Sequence, residues 1–213
     1  MNPVEMIKLD LGPTEWQRAS KEWDANGVIT LNKDLSILPH CKIYLVRGET
    51  YQFDFPMLPQ SSYGFYAANG MQVIRLTRVG KEIENVLAIE WPHLPTLNPI
   101  SLADLILPFY DGGIKESHHT LADADELRAF EKSGHHRLNE SAFAQALPRI
   151  GQTSCELEDD AVVLRVITLC GWMHCKQNLG IENLKIARNG MVTLGPRQVL
   201  AEKIFDVLPD FTY

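Results

Sequence analysis

Apolar and polar positions alternate most regularly at Tyr51–Phe55, where Gln52 and Asp54 separate Tyr51, Phe53 and Phe55. That is the period of a strand buried on one face. Val28–Leu31 and Lys42–Arg47 are β-like runs ahead of it, and Gly48-Glu49 supplies a turn. Gln72–Val79 and Asn85–Trp91 read as two further strands, joined antiparallel through Gly80-Lys81-Glu82-Ile83-Glu84. Residues 56–70 hold Pro56, Pro59, Gly64 and Gly70 and read as a loop. Near the start, Thr14 with Gln17 three residues on is a capping-box pattern. It predicts a short helix with Trp16, Ala19 and Trp23 on one stripe, ended by Asn26-Gly27. Residues 1–91 are therefore expected to form a β-rich lobe.

Pro92, Pro95 and Pro99 each fix φ and remove a backbone donor, so residues 92–100 are expected to be a stiff connector. Beyond it, 101–213 reads as mainly helical. Ser101 and Asp104 open a brief helix over Leu102–Leu107 that Pro108 stops. Thr120–Ser133, closed by Gly134, and Asn139–Leu147, closed by Pro148, are further helices. Ala161–Met173 is apolar on nearly every side: a central buried helix is favoured, and its β-branched content also permits a buried strand. Asn189-Gly190 suits a tight hairpin between Leu184–Ile186 and Met191–Leu194. Pro196 then stands at the first turn of a last helix carrying Leu200, Ile204, Val207 and Leu208. The class is α+β, sheet-rich first and helix-rich second.

The 213 residues, 45% apolar and 22% charged, are of ordinary globular composition. A formal charge of −7 without a Lys/Arg block argues against a nucleic-acid partner. No apolar run reaches the ~18 residues of a membrane span, and Met1–Asp10 lacks the basic and apolar regions of a signal peptide. A soluble, cytoplasmic chain with no membrane partner is the expectation. Four cysteines without a C-x-x-C motif predict reduced thiols.

Lys176-Gln177-Asn178-Leu179-Gly180-Ile181-Glu182-Asn183-Leu184 and the Asn189-Gly190 turn after it have the cadence of a catalytic loop and metal-binding strand. With the strand pair, proline-rich connector and buried segment ahead of them, residues 72–196 resemble the protein-kinase fold. The alternative is an unrelated α+β domain with an Asn-Gly hairpin. The resemblance implies a minimal two-lobed scaffold in which Asn178 replaces the loop aspartate and Asn183 keeps the magnesium-binding position. Pro196 falls where the second metal carboxylate would be, and no G-x-G-x-x-G marks a phosphate cradle. No lysine–glutamate pair can be drawn, because residues 56–70 contain no acidic side chain; Lys42 is the nearest substitute. The implied role is pseudokinase-like: a noncatalytic binding or regulatory protein that contacts another protein and carries no cofactor. The alternative is a divergent ATP-dependent phosphotransferase, with Lys42 or Lys176 on phosphate and Asn183 on magnesium.

A second alternative is a metal-dependent enzyme using His118-His119 or His135-His136 with Asp123 or Asp125. The two histidine pairs would stand ~20 Å apart at the ends of one helix, too far for a single ion. Cys170, His174 and Cys175 cluster near the end of the buried segment, where core packing accounts for a cysteine. Glu82, Glu84 and Glu90 read as a solvated face of the strand pair. Tyr51, Phe53, Phe55, Tyr63, Phe65 and Tyr66 read as core aromatics. No nucleophile elbow of the G-x-S-x-G type occurs.

Overall fold

A computed structural model describes residues 1–22, 27–33, 37–46, 64–76, 81–110, 118–132, 136–170 and 177–207. The expected strand at Tyr51–Phe55, the turn at Gly48-Glu49, and the positions of Trp23, Asn26, Tyr63, His135, His174, Cys175 and Lys176 lie outside them. The fold is α+β, as the sequence predicts, with antiparallel sheets.

Helix α1, Pro3–Glu22, bends at Gly12, whose φ of 74° and ψ of 167° are not helical. Its second segment holds the helix expected from Thr14. The first sheet runs β1 (Ile29–Leu31), β2 (Lys42–Val46), β3 (Gly64–Ala68) and β4 (Val73–Leu76) in that order. α2 (Glu82–Glu90), a 3-10 helix (Trp91–Thr96) and α3 (Pro99–Tyr110) follow. Next come β5 (His118–Leu121), α4 (Ala124–Lys132), β6 (His136–Leu138) and α5 (Glu140–Ile150). The chain continues through β7 (Ser154–Glu158), β8 (Ala161–Cys170), β9 (Asn178–Ala187), β10 (Val192–Leu194), β11 (Gln198–Ala201) and β12 (Phe205–Val207). β8 and β9 are the centre of a second sheet. β5 and β7 share the outer side of β8, β10 and β11 share that of β9, and β12 pairs with β6 apart from this sheet.

Buried side chains stack these elements in layers. Ile7, Leu11 and Ala19 of α1 pack with Val46 and Tyr66 on one face of the first sheet. Ile43, Ala67 and Leu76 on its other face join the central helices and Val162, Leu164, Val166, Leu184 and Ile186 of the second sheet in one shared core. On the far side, Ile167, Leu169, Leu179 and Ile181 pack against Leu127 of α4 and Phe143, Ala146 and Ile150 of α5. Strand alternation makes this possible, since even-numbered β8 residues point one way and odd-numbered ones the other.

Several expectations are corrected. Asn85–Trp91 is not a strand: Ile83, Val86, Leu87 and Glu90 of α2 are buried at helical spacing. Residues 92–100, expected as a connector, run through the 3-10 helix into the start of α3, with Leu94 at 0% exposure. Pro92 sits in the first turn of the 3-10 helix and Pro99 at the head of α3, where a missing N–H costs no helical bond, while Pro95 lies inside the 3-10 helix. Gly64–Ala68, expected as loop, is β3.

The helix expected over Thr120–Ser133 begins only at Ala124. Asp123 Oδ1 accepts from Asp125 N, and Glu126 Oε2 accepts from Ala122 N, so a box one turn later governs. The helix expected over Asn139–Leu147 forms as α5, with Asn139 capping it by accepting from Ala142 N, and it runs past Pro148 to Ile150. Ala161–Cys170 is a strand, since β-branched residues buried on both faces leave no period to read. The helix expected after Pro196 is replaced by β11 and β12, and its apolar spacing reflects Leu200, Ile204 and Phe205 entering the second core. The second half is therefore not mainly helical: it holds the larger sheet.

Candidate functional site

The register of β8 on β9 builds the site. Val162, Leu164 and Val166 stand opposite Ile186, Leu184 and Glu182, and the next row on that face pairs Thr168 with Gly180. Thr120 of β5 pairs with Thr168 on one side, and Val199 of β11 pairs with Gly180 on the other. Chemistry changes abruptly along this face: after two apolar rungs comes Val166 opposite a carboxylate, then a threonine pair beside a glycine.

Thr168 Oγ1 donates to Glu182 Oε1 at 3.0 Å, with Thr168 at 0% and Glu182 at 8% exposure. Arg197 reaches across β9 from its outer neighbour. Its Nε lies 3.9 Å from Glu182 Oε1, and its Nη2 donates to the Asn178 carbonyl at 3.1 Å. Gly180 makes the crossing possible, because a Cβ there would lie 2.7 Å from Arg197 Nε. Exposure grows across the row, from Thr168 through the Arg197 side chain at 25% to Val199 at 46%, and Leu194 opposite Leu184 stands at 36%. The arrangement is a partly buried ion pair flanked by two exposed aliphatic side chains.

The residues chosen from sequence are scattered by comparison. Asn178 and Asn183 both lie on β9, and their separation of five puts them on opposite faces. Asn178 Oδ1 accepts from Lys203 N, and the exposed Asn183 gives its carbonyl to Gly195 N. Lys42 is on β2 of the other sheet and donates to the Leu38 carbonyl. The Asn189-Gly190 hairpin forms as predicted: Val192, Thr193 and Leu194 pair with Ile186, Lys185 and Leu184. Gly190, at φ 83°, presses onto α2, and a Cβ on it would lie 1.8 Å from the Glu84 carbonyl oxygen. Thus the segment that resembles a catalytic loop is a central strand with a hairpin seated on a helix.

His118 and His119 are successive on β5, while His136 is on β6 of the separate pair. Among the described residues no group of three or more His, Cys, Asp or Glu side chains is placed to hold a metal ion. The glutamates expected to form a solvated strand face do structural work instead. Glu84 Oε1 accepts from Tyr110 Oη and from Val192 N, tying α2 to α3 and β10. Glu90 is 0% exposed, and its Oε1 accepts from the backbone N–H groups of His40 and Cys41. The Cys41 thiol is pushed up to about 12 by burial and by the adjacent Glu90 carboxylate, so it stays protonated at neutral pH and is a poor nucleophile.

Thr168, Glu182 and Arg197 were not singled out by sequence reasoning. Gly180 is the signal that points to them, since a glycine inside an apolar strand marks close approach by another group. No family model matches the chain, and searches of curated proteins and of solved structures return no match.

Proposed function

We propose that the chain is a noncatalytic binding or regulatory protein that docks another protein on the outer corner of its second sheet. The observation that carries this reading is the pairing of exposed Leu194 and Val199 with the Arg197–Glu182 ion pair. Contact patches concentrate their affinity in aliphatic or aromatic anchors around polar groups already shielded from water. The ion pair is held in advance by Thr168 and the Asn178 carbonyl, so docking orders few additional side chains. The opposite edge is guarded: β7 exposes Glu156 and Glu158, charges that discourage strand association.

A photocrosslinking residue at position 199, compared with one at 157 on β7, tests the proposal in the source cells. A discrete adduct is expected at 199, lost when Leu194→Lys is added, and the purified partner should then bind the wild type at least tenfold more tightly than Leu194→Lys. Equal binding to both would overturn it. A rise in melting temperature with millimolar ATP and magnesium would instead favour the phosphotransferase.

A further inference from the structure

His40 and His93, 53 residues apart in sequence, meet at the surface with their Nε2 atoms 3.0 Å apart and their ring centroids 4.9 Å apart. Both are held from below. His40 precedes β2 in a segment whose N–H groups are gripped by the buried Glu90 carboxylate, and the His93 carbonyl in the 3-10 helix accepts from Thr96 Oγ1. α2 ends at Glu90 and the 3-10 helix begins at Trp91, so one short stretch positions both the gripping carboxylate and the second imidazole.

We propose that His40 and His93 form a two-imidazole site for a divalent transition-metal ion, Cu²⁺ or Ni²⁺ in preference to Zn²⁺. With metal–nitrogen bonds of ~2.05 Å, a nitrogen separation of 3.0 Å corresponds to an angle at the ion of roughly 94°. That is the cis angle of a tetragonal or octahedral centre, whereas tetrahedral zinc would set the nitrogens roughly 3.3 Å apart. Imidazole is a preferred ligand of all three ions, and copper heads their intrinsic affinity order. Glu90 Oε1 fixes the backbone of the His40 segment, and its buried Oε2 has no hydrogen-bond partner among the described residues. With two protein ligands, the remaining positions belong to water or to an incoming donor.

Tag-free protein titrated calorimetrically with CuCl₂, NiCl₂ and ZnCl₂ tests this. The expected result is one Cu²⁺ per chain, bound at least tenfold more tightly than Zn²⁺, with a Cu²⁺-dependent rise in melting temperature. His40→Gln and His93→Gln should each weaken Cu²⁺ binding at least tenfold, and His119→Gln should leave it unchanged. Equal affinity in the wild type and both variants, or no binding below millimolar Cu²⁺, would overturn the proposal. Circular dichroism of each variant establishes that it is folded, so a lost site is distinguished from a lost fold.

Discussion

The two ends of the β8–β9 ribbon share strands and register yet are stabilised in opposite ways. At the hairpin end, Val162, Leu164 and Val166 with Leu184 and Ile186 face the central helices and join a core that also holds the first sheet. At the other end, where the chain passes from β8 to β9, Ile167, Leu169, Leu179 and Ile181 turn the other face toward α4 and α5. Where the first face passes beyond its apolar rungs it becomes polar, with Thr168, Glu182 and Arg197 in place of aliphatic side chains. A strand long enough to serve two cores changes its buried face partway along, and polar side chains occupy the first face beyond the change.

Breaking the hairpin end at its tip should have the largest effect. Gly190→Ala places a methyl group against the α2 backbone at a positive φ, and a loss of about 4 kcal/mol or more is expected in urea denaturation. Truncating one rung on each face comes next: Leu164→Ala and Ile167→Ala should each cost about 3 kcal/mol, because both side chains are 0% exposed in separate cores. A cost confined to Leu164 would mean that the α4–α5 side is packed far less well than its burial implies.

A third test concerns the α4–α5 side alone. The Arg165 guanidinium donates to the carbonyls of Arg149, Ile150 and Gln152, capping the C-terminus of α5. Arg165→Ala should cost about 2 kcal/mol and raise amide exchange in α5 but not in α2.

The smallest effect separates the ends by pH. Burial raises the Cys41 thiol from 9.0 to about 12 in the shared core, so its protonated form is favoured by folding. That stability is fully present below about pH 9 and is lost as pH rises toward 12. About 1 kcal/mol should be gone by pH 10. Cys41→Ala should lessen the alkaline loss, with Tyr66 and Tyr110, also raised by burial, accounting for the rest.

What could be read from the sequence follows the same division. Short-range signals succeeded: a helix forms over most of Asn139–Leu147, Asn189-Gly190 turns the hairpin, and β1, β2 and β4 lie within the expected runs. Residues 161–170 failed because burial on both faces erases the period of two. Pro92 and Pro99 looked like breakers although a proline is equally at home in a helical first turn. Of the site, only Gly180 left a trace. Arg197, Glu182 and Thr168 converge through a register that no local pattern encodes.

Amide hydrogen exchange of the protein alone and bound to the partner captured through position 199 addresses the proposed contact most directly. The account predicts added protection at 178–182 and 193–199 with no change at 154–158. Protection confined to β7, or to the face that packs on α4 and α5, would contradict it.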